Sequence, residues 1–585
     1  MLRRPPQLAA HLVALTLSAV LLALSFPLPG GSFLAWVALA PAGWLAATSR
    51  RPWTLVWTSA VVFGLWWAWM LRWLLPVTPP GAVAVAVFQS LFWVVALWAT
   101  NVCVRRQRVP IAVALPLCWV TLEFVRSTWP WGGFAWFTLA QTQGAWRPFG
   151  RMPLIWMESV VAATGAAGLS FALALYAGGW VQAAFGSRIS TWGCTVMLLA
   201  TFFGLVVFNP AITRSYHDMG VSVTSSVVQT NTPHDNKLWP TAETYEADFA
   251  ALRRLHAEAA EANPALIVWP ETVIPGPFNE PAAAHLERWA LSRPNDEDGA
   301  RLRARTGKPR QARALVSELG VPTMIGASTE IATDDPRDPQ QFNSAYLVTP
   351  DGRVNGRFDK MHRVPFGEYI PLPEALKDWV LATVSPYDFD YSIDAGEAVT
   401  VFEVPAETKP GETESGGLRF ATPICFEDTN AALCREMVYD PATGKKRVDA
   451  LVNLTTNGWF GRLPTEADAG GLGWASMRYQ HLQLASLRAI ENRVPVVRSV
   501  NTGVSAIIDS TGRIVAAAPP GQEAVISGEL VLDPRRTVYA IVGDWPIMGL
   551  AVFTAGLVVW SRLRAPKAVR RRRGRLRASR PQPAA

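Results

Sequence analysis

Charge is scarce in this 585-residue chain: Asp, Glu, Lys and Arg make up 17% of it, where soluble proteins carry about 25%. The shortfall is concentrated. None of those four residue types occurs between Arg4 and Arg50, between Arg51 and Arg72, from Gly81 to Val104, from Ser190 to Thr213, or from Trp545 to Ser561. A helix needs roughly 20 apolar residues to cross the hydrocarbon core, where no water satisfies its backbone. One such run is compatible with a cleaved targeting segment, but several are not. The composition excludes a chain soluble throughout its length and predicts one that crosses a membrane several times.

Cysteine is also sparse. There are five, too few and too scattered for a disulfide framework. Cys103, Cys118 and Cys194 fall in the apolar runs. Cys425 and Cys434 lie outside them, and either they pair or at least one is a working thiol. His362 and His481 are isolated and show no ligand spacing, so no metal or other cofactor is expected. No internal repeat is visible.

What is present falls into two kinds of chain. Eight spans are expected, at about 7–27, 32–49, 54–74, 81–103, 110–125, 155–183, 188–209 and 543–561. Basic residues in short loops stay cytoplasmic. Arg3 and Arg4, Arg50 and Arg51, Arg105, Arg106 and Arg108, and the tail arginines Arg570 to Arg573, Arg575 and Arg577 then all fall on one side. The net charge of +8 is therefore mostly a topology signal rather than a nucleic-acid footprint. Residues 214–538 are rich in Asp, Glu, Arg, Asn and Pro, hold no spanning run, and read as one extracytoplasmic globular domain. The expected order is a transmembrane portion over 1–213, the globular domain over 214–538, a last crossing within 539–562 and a basic cytoplasmic tail over 563–585.

Within the globular domain, short apolar runs predict strands at Ala265–Trp269, Pro322–Gly326, Ser344–Val348, Leu418–Ile424, Ala450–Leu454 and Val494–Val500. Amphipathic stretches at Tyr245–Ala262 and Trp474–Asn492 predict helices between them, so an α/β domain of layered sheets and helices follows. Thr349-Pro-Asp-Gly352 and Asp509-Ser-Thr-Gly512 read as hairpin turns. The charged stretch 293–311 reads as a surface insertion.

Three places carry chemistry, each at or just past a predicted strand. In Ile267-Val-Trp-Pro-Glu-Thr272, Pro270 stops the strand and presents Glu271. In Arg357-Phe-Asp-Lys-Met-His-Arg-Val-Pro-Phe-Gly-Glu-Tyr369, Lys360 precedes a loop holding Glu368, and a lysine there can stabilise a thiolate and an oxyanion. In Phe420-Ala-Thr-Pro-Ile-Cys-Phe-Glu-Asp428, Cys425 stands before a predicted helix at Asp428–Val438, whose N-terminus would lower the thiol pKa. Each has a plainer reading alone: a turn glutamate, a surface lysine, a small core cysteine. Cys434, mid-helix, suits the last of these.

The order Trp-Pro-Glu, Asp-Lys and Ile-Cys-Phe-Glu resembles the nitrilase, or carbon–nitrogen hydrolase, superfamily. That resemblance implies an αββα sandwich with Glu271 as general base, Lys360 holding the tetrahedral intermediate and Cys425 as nucleophile. With the multi-span frame around it, the chain is similar to the apolipoprotein N-acyltransferases over nearly its whole length. Val364-Pro-Phe-Gly-Glu-Tyr369, Asn457-Gly-Trp-Phe-Gly461, Ala489-Ile-Glu-Asn-Arg493 and Arg498-Ser-Val-Asn-Thr-Gly503 support this, as do Glu123-Phe-Val-Arg126 and Gly133-Phe-Ala-Trp136. The resemblance makes Glu368 and Glu427 auxiliary active-site carboxylates and puts Trp459 in a substrate-access loop. It implies a phospholipid acyl donor, a diacylglyceryl apolipoprotein acceptor, a Cys thioester intermediate, surrounding membrane lipids, no nucleic acid and a monomer in the bacterial cytoplasmic (inner) membrane. Phe426 departs from the family's frequent Tyr after the nucleophile, and Asp359 stands where an aromatic residue or Asn is common. A membrane-anchored amidase cleaving a small amide would use the same three residues, but an anchor needs only one span. A transporter would carry paired charges mid-span, and these spans lack them.

Overall fold

The computed structural model describes residues 7–26, 31–144, 152–185, 221–233, 236, 241–292, 303, 305–333, 339–383, 390–405, 417–460 and 477–563. Among them, four helices are long and apolar enough to cross a membrane: Leu8–Ser25, Pro79–Gln107, Ile111–Thr128 and Met157–Phe185. The count differs from the eight spans expected. Ser32–Thr48 and Trp545–Ser561 form shorter apolar helical segments, and the helix Pro52–Met70 has its hydropathy diluted by tryptophan. The expected span at 188–209 and the basic tail beyond Leu563 lie outside the described residues. The fifth expected span is a helix from Ile111 to Thr128 that accommodates Pro116. The sixth kinks at Gly165, whose backbone leaves the helical region.

The polar part of the chain builds two sheets. Strands β1 (Ser222–Gln229), β2 (Leu266–Val268), β3 (Ile274–Pro277), β4 (Thr323–Ile331), β5 (Gln340–Val348), β6 (Val354–Asp359) and β13 (Ala524–Val531) form the first, in the order β13-β1-β2-β4-β5-β6, with β3 also on β4. The second runs β12-β11-β10-β9-β8-β7, from β7 (Phe402–Val404), β8 (Leu418–Ala421), β9 (Ala450–Thr455), β10 (Val496–Val500), β11 (Ala506–Ile508) and β12 (Ile514–Ala517). β1 lies parallel to β2 and antiparallel to β13, which returns from the far end of the domain to close the first sheet. Both expected turns are hairpins: β5 returns as β6, and β11 as β12.

The central strands are continuous apolar runs because both of their faces are covered. Val227, Val268, Met324 and Leu347 of the first sheet share a buried core with Phe420, Val452, Val497 and Ile507 of the second. The opposite face of the first sheet packs Ile267, Trp269, Ile325 and Val348 against the helices Ala242–Ala260 and Lys308–Leu319. Helices Ala431–Val438 and Met477–Asn492 cover the second sheet, completing the αββα sandwich. Part of the expected surface insertion is therefore interior: Lys308 is fully buried and ion-paired to Glu246 at 2.7 Å, while 293–302 and 304 lie outside the described residues.

The membrane helices meet the sandwich on its Met477–Asn492 layer. That helix is buried on nearly every side, including Gln480, His481, Arg488 and Glu491. Two hydrogen bonds tie it across the seam, one at a backbone carbonyl and one at a side chain. Gln141 Nε2 donates to the Gln480 carbonyl at 3.1 Å, and Ala166 N donates to Glu491 Oε1 at 2.8 Å.

Candidate active site

Glu271, Lys360 and Cys425 follow β2, β6 and β8, and the paired strands bring these three ends to one edge of the sandwich. Each site loop contains a non-glycine residue in the left-handed region: Thr272 at φ 45°, Phe366 at φ 61° and Cys425 itself at φ 52°. Such residues persist only where the surroundings hold them. The surroundings here are visible. The Glu271 turn lies directly on β4, where a Cβ on Gly326 would come within 2.3 Å of the Pro270 carbonyl.

Glu271 and Lys360 are both buried. Glu271 Oε1 accepts from Asn343 Nδ2 at 2.7 Å, and its Oε2 accepts from Thr456 N at 2.7 Å. Lys360 Nζ lies 3.7 Å from Glu271 but 2.7 Å from Glu368 Oε1. Glu368 in turn accepts from Val364 N at 2.8 Å. Burial alone would pull the Lys360 ammonium down; Glu368, Cys425 and Glu271 outweigh it and hold its pKa above the ordinary lysine value. The ammonium is a fixed positive charge between two carboxylates and a thiol.

Cys425 and Cys434 do not pair; both are free. Cys434 is a buried residue of the second core, and Cys425 is the one described cysteine with some exposure. The expected helix N-terminus behind Cys425 is absent. A 3-10 turn over Cys425–Thr429 follows instead, and the α-helix begins only at Ala431. The thiol pKa is raised well above the ordinary value, first by burial and then by the charge of Glu271, with Lys360 opposing. Desolvation disfavours the thiolate more than the lysine favours it. A resting thiol held within hydrogen-bonding reach of a carboxylate suits attack with proton transfer to a base rather than a preformed thiolate.

Glu427 does not face the reacting groups. Its Oε1 accepts from Met361 N at 2.7 Å and His362 N at 2.9 Å, and its Oε2 from Ile424 N at 2.7 Å. It ties the lysine loop to the cysteine loop. Burial raises its pKa to about 7 against the pull of those N–H groups.

Several residues of the site have no role assigned to them from the sequence. Asn343 sits on β5 and joins Glu271 to Glu368, which it reaches at 3.4 Å. Beneath Cys425, Asp428 accepts from Arg498 Nη1 at 2.6 Å and lies 2.6 Å from His481 Nε2. Arg498 also reaches Asn453 Oδ1 at 2.6 Å, and Asn453 Nδ2 donates to the Pro423 carbonyl at 2.9 Å. A polar residue inside an apolar strand run, as at Asn453 and Arg498, was the available clue.

The membrane part reaches this edge through aromatic rings. Phe426, next to Cys425, is stacked on Trp136 (5.7 Å, 8°) and on His362 (5.4 Å, 13°). Gly132, at φ 88°, packs so closely on His362 that a Cβ would lie 1.8 Å from the ring. Phe460 meets Trp73 edge-on at 4.7 Å. Trp459 instead lines a cavity of about 650 Å³ bounded by Glu271 and Thr456. Among the described residues, no group of three or more His, Cys, Asp or Glu side chains is arranged to hold a metal ion.

Residues 226–539 match the carbon–nitrogen hydrolase family, and residues 18–179 match the apolipoprotein N-acyltransferase N-terminal domain. An apolipoprotein N-acyltransferase of Geobacter metallireducens is 32% identical over 92% of this chain and 94% of its own length. Proteins of the same name from Methylococcus capsulatus and Azotobacter vinelandii are 27% and 30% identical, covering 76% and 84% of this chain and 73% and 81% of their own. The sandwich, the membrane helices seated on it and these relatives together place the chain in the apolipoprotein N-acyltransferase family.

Proposed function

We propose that this enzyme moves a fatty acyl chain from a membrane phospholipid, through a thioester on Cys425, to the α-amine of the N-terminal diacylglyceryl-cysteine of an apolipoprotein. The observation that carries the reading is the convergence of Glu271, Lys360 and Cys425 at the edge of the sandwich that meets the membrane helices. Glu271 takes the thiol proton as sulfur attacks the ester carbonyl. Lys360, held by Glu368, faces the negative oxygen of the tetrahedral intermediate. Collapse expels the lysophospholipid alkoxide, which takes the proton back from Glu271 to leave as the alcohol, and leaves the thioester. The acceptor amine then attacks the thioester, loses a proton to Glu271, and releases the Cys425 thiol and an amide. Keeping water from the thioester favours the amine, and the packed rings of Phe426, Trp136 and His362 serve that end. Eight crossings in the bacterial cytoplasmic membrane, with the 214–538 domain on the extracytoplasmic side, are part of the same reading, drawn from the loop arginines.

Intact-protein mass spectrometry after incubation with phospholipid tests it. The wild type should gain the mass of one fatty acyl group and lose it on addition of a diacylglyceryl lipopeptide. Cys425→Ala should gain nothing. Hydrolysis of a small amide with no acyl adduct would sink the proposal.

A further inference from the structure

β10 reads Val496-Val-Arg-Ser-Val500, an apolar run interrupted by a cation, and Arg498 is fully buried. Burying a guanidinium costs free energy unless its donors are met. They are met unevenly. Nη1 donates to two acceptors, Asn453 Oδ1 and Asp428 Oδ2, each at 2.6 Å, while Nε and Nη2 have no hydrogen-bond partner among the described residues. Stability alone does not call for this arrangement, because apolar side chains of similar volume often stabilise a core as well as a buried ion pair, or better. The two acceptors show what it does instead.

Both lead to the Cys425 turn, from opposite sides. Asn453 Nδ2 donates at 2.9 Å to the carbonyl of Pro423, two positions before the cysteine. Asp428 stands three positions after it, within the 3-10 turn Cys425–Thr429. Ile424 still pairs with Leu454 of β9, and the backbone then enters the left-handed region at Cys425, with φ 52°. A non-glycine residue keeps that conformation only where its surroundings over-determine it. One nitrogen of Arg498 ties the segment before the cysteine to the segment after it. Asp428 Oδ1 lies 2.6 Å from His481 Nε2, and the His481 ring lies 5.4 Å from that of Trp136, which follows the membrane helix Ile111–Thr128. The clamp is therefore backed by the seam. The guanidinium is also near enough for its charge to act on Cys425 and Glu271.

We infer that Arg498 is the positioning residue of the cysteine turn: by bridging Asn453 and Asp428 it fixes the direction in which the Cys425 side chain points, with Asp428 and His481 holding the bridge in place. The inference rests on the acyl-transfer reading above, in which that sulfur meets an ester carbonyl between Lys360 and Glu271. Arg498 touches no substrate and moves no proton. It acts through the backbone, so weakening the bridge slows acylation and leaves phospholipid binding as it was.

The test uses full-length enzyme with phospholipid, following acylation of Cys425 by mass over a range of donor concentrations. Asn453→Ala cuts the tie before the cysteine and Asp428→Asn weakens the tie after it, and neither removes the cation. Each should slow acylation at saturating donor by at least about tenfold, since a group misplaced by about 1 Å can cost about a hundredfold. The donor concentration for half-maximal rate should not change. The double substitution should be little slower than the worse single, because both act through one turn. Arg498→Lys, which keeps a cation there, should retain more activity than Arg498→Met. A merely structural network predicts folded variants that acylate at the wild-type rate whatever their thermal midpoint, and that result would overturn the inference. So would a raised donor requirement at an unchanged maximal rate, or effects that multiply in the double substitution. If Arg498→Met fails to fold, the Asn453 and Asp428 substitutions decide. Absence of any acyl-enzyme in the wild type would instead defeat the acyl-transfer reading.

Discussion

At the scale of single residues, the site is an arrangement of charges that would neutralise one another if allowed to touch. Lys360 is ion-paired to both carboxylates, but more closely to Glu368, at 2.7 Å against 3.7 Å for Glu271, and Glu368 is itself fixed by Val364 N. In the proposed acyl transfer this looser contact leaves Glu271 able to act as the base. Glu368→Gln removes the competing charge, so Lys360 should swing toward Glu271, away from the oxyanion position in the proposed mechanism. A misplacement of about 1 Å can cost about a hundredfold in rate. The acylation rate of Cys425, timed by mass spectrometry, should fall by about that factor while the protein stays folded. An unchanged rate would mean that Glu368 does not set the lysine's position. The sequence offered Glu368 as one carboxylate in a loop, and its closeness to Lys360 depends on the chain doubling back at Phe366, whose φ is 61°.

At the scale of elements, what could be read in advance follows the range of the forces involved. Apolar runs and Gly-containing turns are local, so the strands around Ile267, Tyr346, Leu451 and Val497 and the hairpins at Gly352 and Gly512 appear where the sequence places them. Contacts set by backbone approach between distant segments have no local signature. The 3-10 turn after Cys425 replaces the expected helix because Glu427 is drawn inward to the backbone of Met361 and His362, more than sixty positions earlier. Gly326 is a second such case: inside an apolar strand it looks like a packing choice, yet the Glu271 turn lies against it. Gly326→Ala would place a Cβ 2.3 Å from the Pro270 carbonyl and 2.7 Å from the Glu271 Cα. The expected cost is about 1–3 kcal/mol of stability, as for other overpacked sites, with a loss of acylation because Glu271, the proposed base, moves. Thermal unfolding and the acylation rate together check this; a variant with wild-type acylation would show that the turn's exact height on β4 is irrelevant.

At the scale of the whole molecule, the question is what keeps a water-facing sandwich seated on membrane helices closely enough for one site to serve both. Apolar packing contributes, since Phe426, Met477, Leu484, Leu487 and Ile490 share a core with Leu15, Phe63, Trp119 and Leu173. Apolar contact does not by itself fix orientation, whereas charge pairs do. Arg493, at the end of the Met477–Asn492 helix, is paired with Glu158 of the helix Met152–Phe185, both of them buried. Two residues before Arg493, Glu491 takes the N–H of Ala166, about two helical turns after Glu158 and beside the Gly165 kink. The kink thus frees a backbone donor that the sandwich accepts, and the ion pair sets the register on the other side. Removing one partner strands a buried charge, which typically costs about 3–5 kcal/mol. Glu158→Ala and Arg493→Ala should each lower the thermal midpoint of the detergent-purified enzyme. They should also weaken acylation, because the Trp136–Phe426 stack no longer meets squarely. The double substitution removes both charges, so it should be less destabilised than the sum of the two singles. If instead the singles add, the pair does not couple the two parts, and the seating depends on the apolar seam alone.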